Sequence, residues 1–180
     1  MTNEPTNHHP HLNPGELVAA LRQIRDADAW WAEVCCLLFM VCTDTRSSEA
    51  CSATWDEIDW ETNTWHIPAA RMKGGRPHAV PLSSLAIGIL TYAKARTNGD
   101  GPIFPAERGG KCLAEARLAA LMRRLEIPGT PHGIRRSFKN WAAAGQRRRQ
   151  DPPQCIAGPV PGVRHAGLLT PNVVRQTAVA

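Results

Sequence analysis

A mainly helical domain carrying one small three-stranded antiparallel β-sheet, an α+β arrangement, is the fold class this sequence predicts. Three observations predict it. Apolar residues recur at helical spacing on both sides of a central stretch, in segments 14–42 and 83–141. Between them stand three short β-favouring pieces, "WDEID", "TWHIP" and "HAVPL", separated by the polar turns "ETN" and "AARMKGGRP". Hydrophobic residues make up 43% of the 180-residue chain, enough for one domain with a core of its own.

The elements follow in order. "NPGELVAALRQIRDA" opens a helix: Asn13 can cap it, Pro14 suits the first helical position, and Glu16 can reach back to the cap. Leu17, Leu21 and Ile24 then share one face. Trp30 to about Cys42 is apolar nearly all round, which predicts a buried central helix. Thr43, Asp44 and Thr45 offer caps for a short helix carrying Arg46 and Glu49. The three β pieces come next, with Lys73 on the turn of the second hairpin. Ser83 to about Thr97 is helical, with Leu85, Ile89 and Tyr92 at i, i+4 and i+7. "TNGDGPIFPAERGG" is loop, and Leu113–Leu125 is a helix ended by Pro128 and Gly129. Thr130 caps a last helix with Pro131 at its first position and Ile134, Phe138 and Trp141 as its buried stripe.

Three segments are expected: a disordered leader at 1–11, a domain at 12–144, and a poorly ordered tail at 145–180. The tail holds five Pro, four Gly, no Lys and no aromatic residue, and shows no sustained period. It also holds five Arg against one Asp, so most of the net charge of +5 sits there; the rest of the chain is nearly balanced. Bulk charge is therefore weak evidence for nucleic acid, and a DNA-binding reading rests on particular residues.

The longest strongly apolar run, near Val34–Val41, is far too short to span a bilayer. "MTNEPTNHHPHLNPG" has no apolar signal region, so no membrane partner and a cytoplasmic location are the expectations. The six cysteines form no CxxC pair and read as reduced core thiols. His8, His9 and His11 lie in the leader without a carboxylate or thiol pattern beside them. Neither a metal nor a cofactor is expected.

Four basic residues stand at informative places. Arg46 begins a short helix, where backbone N–H groups and the dipole favour an anion. Lys73 sits on a Gly-rich hairpin tip, and His132 and Arg135 are i, i+3 on one helix face. Guanidinium forks suit the two non-bridging oxygens of a phosphodiester, and their charge stabilises a pentacoordinate transition state. A lysine can protonate a leaving 5′ oxygen, and a histidine can assist proton transfer. Taken singly, each has an ordinary reading: a local Arg46–Glu49 ion pair, a solvated turn lysine, a helix-start histidine and a solvated arginine. The set in this order is more specific.

"CTDTRSSEACSATWDEIDWETNTWHIPAARMKGGRPHAVPLS", followed by "TPHGIRRSF", resembles the catalytic domain of the tyrosine recombinases, or phage integrases, of the prophage and genomic-island type. The likeness runs from about Leu12 to Ala144. The family pattern T-G-x-R-x-x-E falls on Thr43 to Glu49, with Asp44 where Gly is usual; the H-x-x-R box falls on His132 and Arg135, and the hairpin lysine on Lys73. The resemblance implies a catalytic-core fold and a duplex-DNA substrate. It also implies phosphodiester transesterification through a C-terminal tyrosine, with no cofactor and with other recombinase subunits as possible partners.

Tyr92 is the only tyrosine, and it precedes the H-x-x-R box whereas the family's nucleophile follows it. It is therefore expected in the core. His165 is a doubtful match to a second family histidine: nine and ten residues on stand Val174 and Arg175, neither of which can attack phosphorus. The expectation is a catalytic core truncated at both ends, its tail read from a shifted frame and its nucleophile missing. Non-catalytic DNA-binding or regulatory remnant, or pseudogene product, are the alternatives.

Overall fold

The computed structural model describes residues 12–72 and 74–146. Six helices and a three-stranded sheet follow one another as α1 (Pro14–Arg25), α2 (Trp31–Thr43), α3 (Ser47–Cys51), β1 (Ile58–Asp59), β2 (Thr64–Ile67), β3 (His78–Pro81), α4 (Ser84–Thr97), α5 (Glu115–Arg124) and α6 (Pro131–Gln146). The mainly helical α+β class is as expected. The tail from 147 and the leader to 11 lie outside the described residues.

α1 begins as its sequence dictates. The Asn13 side chain accepts from the Glu16 amide at 3.0 Å, and the Glu16 carboxylate accepts from the Asn13 amide at 2.9 Å. Leu17, Leu21 and Ile24 are buried against the core. Leu12 just before it donates its amide to Ser137 Oγ on α6 at 2.8 Å, tying the two ends of the domain together.

α2 is the spine. Apolar on every side, it is buried along almost its whole length and packs against α1, α3, α4, α5 and α6. Its one carboxylate, Glu33, is buried and answered by Arg117 of α5, Nε to Oε1 at 2.6 Å. Phe39 sits between Trp65 of β2 and Phe104, with ring centroids 5.1 and 5.5 Å away, and so joins the helical layer to the sheet.

The sheet has the order β1-β2-β3, both pairs antiparallel, with Ile58 opposite Trp65 and Trp65 opposite Val80. It is smaller than the sequence suggests. Trp55–Glu57, read as the start of a strand, is a 3-10 turn, and β1 keeps only two residues. The Glu57 carboxylate explains this: it caps the turn at the Thr54 amide, accepts the Trp65 indole N–H at 2.9 Å and pairs with Arg71. Period-two alternation cannot register a carboxylate used this way. β3 ends at Pro81, on the sheet edge where a missing N–H costs nothing.

α5 starts slightly later than expected, whereas α6 starts as expected. α5 begins at Glu115, because Leu113 is held in the preceding loop by its amide bond to the Phe104 carbonyl. α6 is capped at Thr130, whose Oγ1 accepts from the Gly133 amide at 3.1 Å. Ile134 is buried, whereas Phe138 and Trp141 are half-buried and tilt against one another at 5.6 Å.

Cys35, Cys36 and Cys51 are buried and Cys112 is exposed; all five described cysteines are free. Burial pushes the Cys35 and Cys42 thiols up to about 12 and holds Cys36 well above the usual range. Since only the thiolate reacts, an alkylating reagent at neutral pH is expected to modify Cys112 first among the five described cysteines. The other four should follow only on unfolding, which peptide mass mapping reads. Rapid labelling of Cys36 or Cys51 in the folded protein would contradict this packing.

Candidate active site

Two of the expected residues bear on the turn that follows α2: Arg46 stands in it, and Arg135 contacts Asp44 at its start. That helix ends at Asp44, which adopts the left-handed conformation (φ 49°, ψ 36°) and turns the chain toward Arg46. Thr43 and Thr45 brace the turn from within: their hydroxyls lie 2.9 Å apart, and Thr43 Oγ1 also donates to the Phe39 carbonyl at 2.7 Å. Arg46, rather than Thr43–Thr45, is the N-cap residue of α3. The cap forms because Glu49 folds back onto it. Its Oε2 accepts the Arg46 amide at 2.8 Å, and its Oε1 accepts Nη1 at 2.6 Å. Glu49 is 4% exposed and the Arg46 side chain 47%, so the buried carboxylate holds a guanidinium whose remaining N–H groups face outward. α3 has only five residues, so anion affinity here rests on the guanidinium rather than on a helix dipole.

Arg135 reaches the same turn from α6. Its Nε donates to the Asp44 carbonyl at 2.9 Å and lies 3.0 Å from Asp44 Oδ1. Among the described residues no partner stands on its Nη1 or Nη2. Lys139, one turn further along α6, has its Nζ 3.8 Å from Asp44 Oδ2. His132 is on the same helix three residues before Arg135 and is exposed. The structure thus brings Arg135 onto the turn that presents Arg46, with His132 one helical turn away.

Lys73 and His165 lie outside the described residues. The hairpin that carries Lys73 is nevertheless anchored to this region by Arg71, which the sequence did not single out. Arg71 Nη1 donates to the Glu49 carbonyl at 3.1 Å and to Ser52 Oγ at 2.5 Å, and Nη2 pairs with Glu57. Beside it, the Gly75 amide closes a turn on the Met72 carbonyl at 2.9 Å, with Gly75 at φ 62°. Asp44, Lys139 and Arg71 were the participants missed. The only sequence signal was Asp44 itself, standing where the resembled pattern has Gly.

Tyr92 stands elsewhere. It is half-buried rather than sealed in the core, its ring edge-on to Trp31 at 6.2 Å and under the Arg96 guanidinium at 3.5 Å. Loss of water raises its phenol above the usual range, partly offset by Arg96. Trp31 is the first residue of α2 and Arg46 lies three residues beyond its last, so Tyr92 packs at the opposite end from Arg46 of a 13-residue helix, itself about 20 Å long.

Comparison with known proteins identifies the family and the fold. Residues 12–145 match the phage integrase family model. The prophage integrase IntA of Escherichia coli K12 is 35% identical over 129 residues, covering 70% of this chain and 31% of IntA. The integrase of enterobacteria phage P4 is 31% identical over 112 residues, 52% of this chain and 25% of the phage protein. The chain thus spans about a third or less of the curated relatives it matches. Among solved structures, the Tn1549 transposon integrase in complex with circular intermediate DNA superposes with a TM-score of 0.62 at 16% identity, over 87% of this chain and 58% of that one. The XerH site-specific recombinase bound to palindromic difH substrate gives 0.60 at 20% identity, over 83% and 46%. The fold is that of a tyrosine-recombinase catalytic domain, and the chain belongs to the phage integrase family.

Proposed function

We propose that this chain is a duplex-DNA-binding catalytic-core domain of a site-specific tyrosine recombinase that grips a phosphodiester without supplying the attacking tyrosine. Arg46 and Arg135 hold the non-bridging oxygens through the guanidinium N–H groups that their contacts with Glu49 and Asp44 leave over. His132 and Lys73 serve proton transfer, Lys73 toward the leaving 5′ oxygen. The observation that carries the reading is the position of Tyr92, the sole tyrosine, at the opposite end of α2 from Arg46. Arginine, lysine and histidine stabilise and shuttle protons around an attacking hydroxyl but form no phosphodiester link of their own here. The DNA complexes of the Tn1549 integrase and XerH support duplex DNA as the partner.

Incubation with nicked suicide-type duplexes, followed by denaturing gels, tests this. The expected result is salt-sensitive, sequence-tolerant binding without a covalent protein–DNA band. Tyr92→Phe should leave binding unchanged. A covalent band that disappears in Tyr92→Phe would overturn the reading and make Tyr92 the nucleophile. Covalent capture restored by adding a second recombinase that has its own tyrosine would identify the subunit partner.

A further inference from the structure

We infer that the Asp44 carboxylate is a resident counter-charge in the phosphate site, one that weakens the grip of Arg135 and Lys139 on DNA. The inference rests on the phosphate-binding reading given above.

The argument begins with what the Asp44 side chain does not do. Arg135 Nε is already placed by a backbone group, the Asp44 carbonyl at 2.9 Å, and any residue at 44 offers that carbonyl. Oδ1 lies 3.0 Å from the same Nε but is not aligned for a hydrogen bond, and it is buried without any other hydrogen-bond partner. A single N–H directed at the carbonyl cannot serve both oxygens well. The carboxylate therefore adds charge to the contact and little orientation. Its other oxygen faces Lys139 at 3.8 Å, so one negative charge is shared between two cations on one face of α6.

The backbone makes the choice of residue more telling. At φ 49° and ψ 36° glycine is the least strained residue, and aspartate is tolerated at some cost. A side chain held there, with an oxygen removed from water, is offset by the two cations it faces. Arg46 is matched by Glu49 in the same way, so both arginines at this turn already carry a carboxylate. The two differ in kind: Glu49 makes two aligned hydrogen bonds and builds the α3 cap, whereas Asp44 Oδ1 makes none. A phosphate arriving on the Nη1/Nη2 edge of Arg135 meets a guanidinium whose field is partly cancelled a few ångströms away.

The test is the affinity of the full chain for a short random-sequence duplex at several salt concentrations. Asp44→Asn keeps the shape and the tolerance for positive φ but removes the charge. It is expected to tighten binding about fivefold at moderate salt and to steepen the dependence of log K on log salt by about one unit. Asp44→Gly should behave alike, with an unchanged or higher thermal midpoint that reports an intact fold. In an Arg135→Ala, Lys139→Ala background the gain from Asp44→Asn should vanish. Unchanged or weaker binding in both Asp44 variants would overturn the inference, as would a full gain persisting in that background. If Arg135→Ala leaves affinity untouched, the phosphate-site reading fails and takes the inference with it. If Arg135→Ala weakens binding while Asp44→Asn changes nothing, only the counter-charge is refuted.

Discussion

Alanine at both Arg46 and Arg135 is expected to lower duplex-DNA affinity by about a hundredfold, or roughly 3 kcal/mol, at moderate salt. Each guanidinium loses charge-assisted bonds to phosphate oxygens, and each is already positioned by a contact within the protein, so little ordering cost is recovered on truncation. The magnitude is set below the sum of two ideal contacts because Glu49 and Asp44 partly neutralise the pair. Lys94→Ala is the control, removing an exposed cation that lies 4.5 Å from the Trp60 ring on a different part of the surface. Equilibrium binding by fluorescence anisotropy checks both. An equal loss in Lys94→Ala would mean that general positive charge, not the turn at 44–46, carries the binding. Glu49 is left out of the comparison, because truncating a buried carboxylate that caps α3 would disturb the fold along with the site.

The second large effect is on stability. Phe39→Ala is expected to cost about 4 kcal/mol. Phe39 is fully buried and its ring contacts both Trp65 and Phe104, so its removal leaves a cavity between the central helix and the sheet. Neither neighbour can collapse into it freely: Trp65 is fixed by its indole bond to Glu57, and Phe104 by the bond from the Leu113 amide to its carbonyl. Urea unfolding measures the effect as a lower midpoint with an unchanged slope. A loss under about 1 kcal/mol would show that this aromatic junction is loosely packed.

Much of the fold was legible because its signals are local. Asn13, Pro14 and Glu16 lie within four residues and specify the start of α1 by themselves. α2 was legible because a helix that is apolar all round has only one place to go. Trp55–Glu57 was misread for the opposite reason. Its conformation depends on Glu57 meeting Arg71 and Trp65, partners eight or more residues away. The site divides along the same line. Arg46 and Glu49 are three residues apart and their pairing could be anticipated, whereas the contact of Arg135 with Asp44 spans 91 residues and left no pattern to read. Tyr92 was expected to be sealed by its helix-face spacing; Arg96, one turn later on α4, instead covers an open ring face.

The burial of α2 has a thermodynamic consequence for measurement. A helix walled in by five others has no low-energy local opening, so its amides should exchange only when the whole domain unfolds. Asp44, Thr45 and Arg46 are continuous with that helix, which makes this turn, the proposed phosphate site, part of the same cooperative unit. Any ligand bound there is then linked to global unfolding, and at about a hundred times its Kd it should add roughly 2.7 kcal/mol to the stability of the entire domain. A simple melting curve, followed through tryptophans far from the site, becomes an affinity assay for DNA.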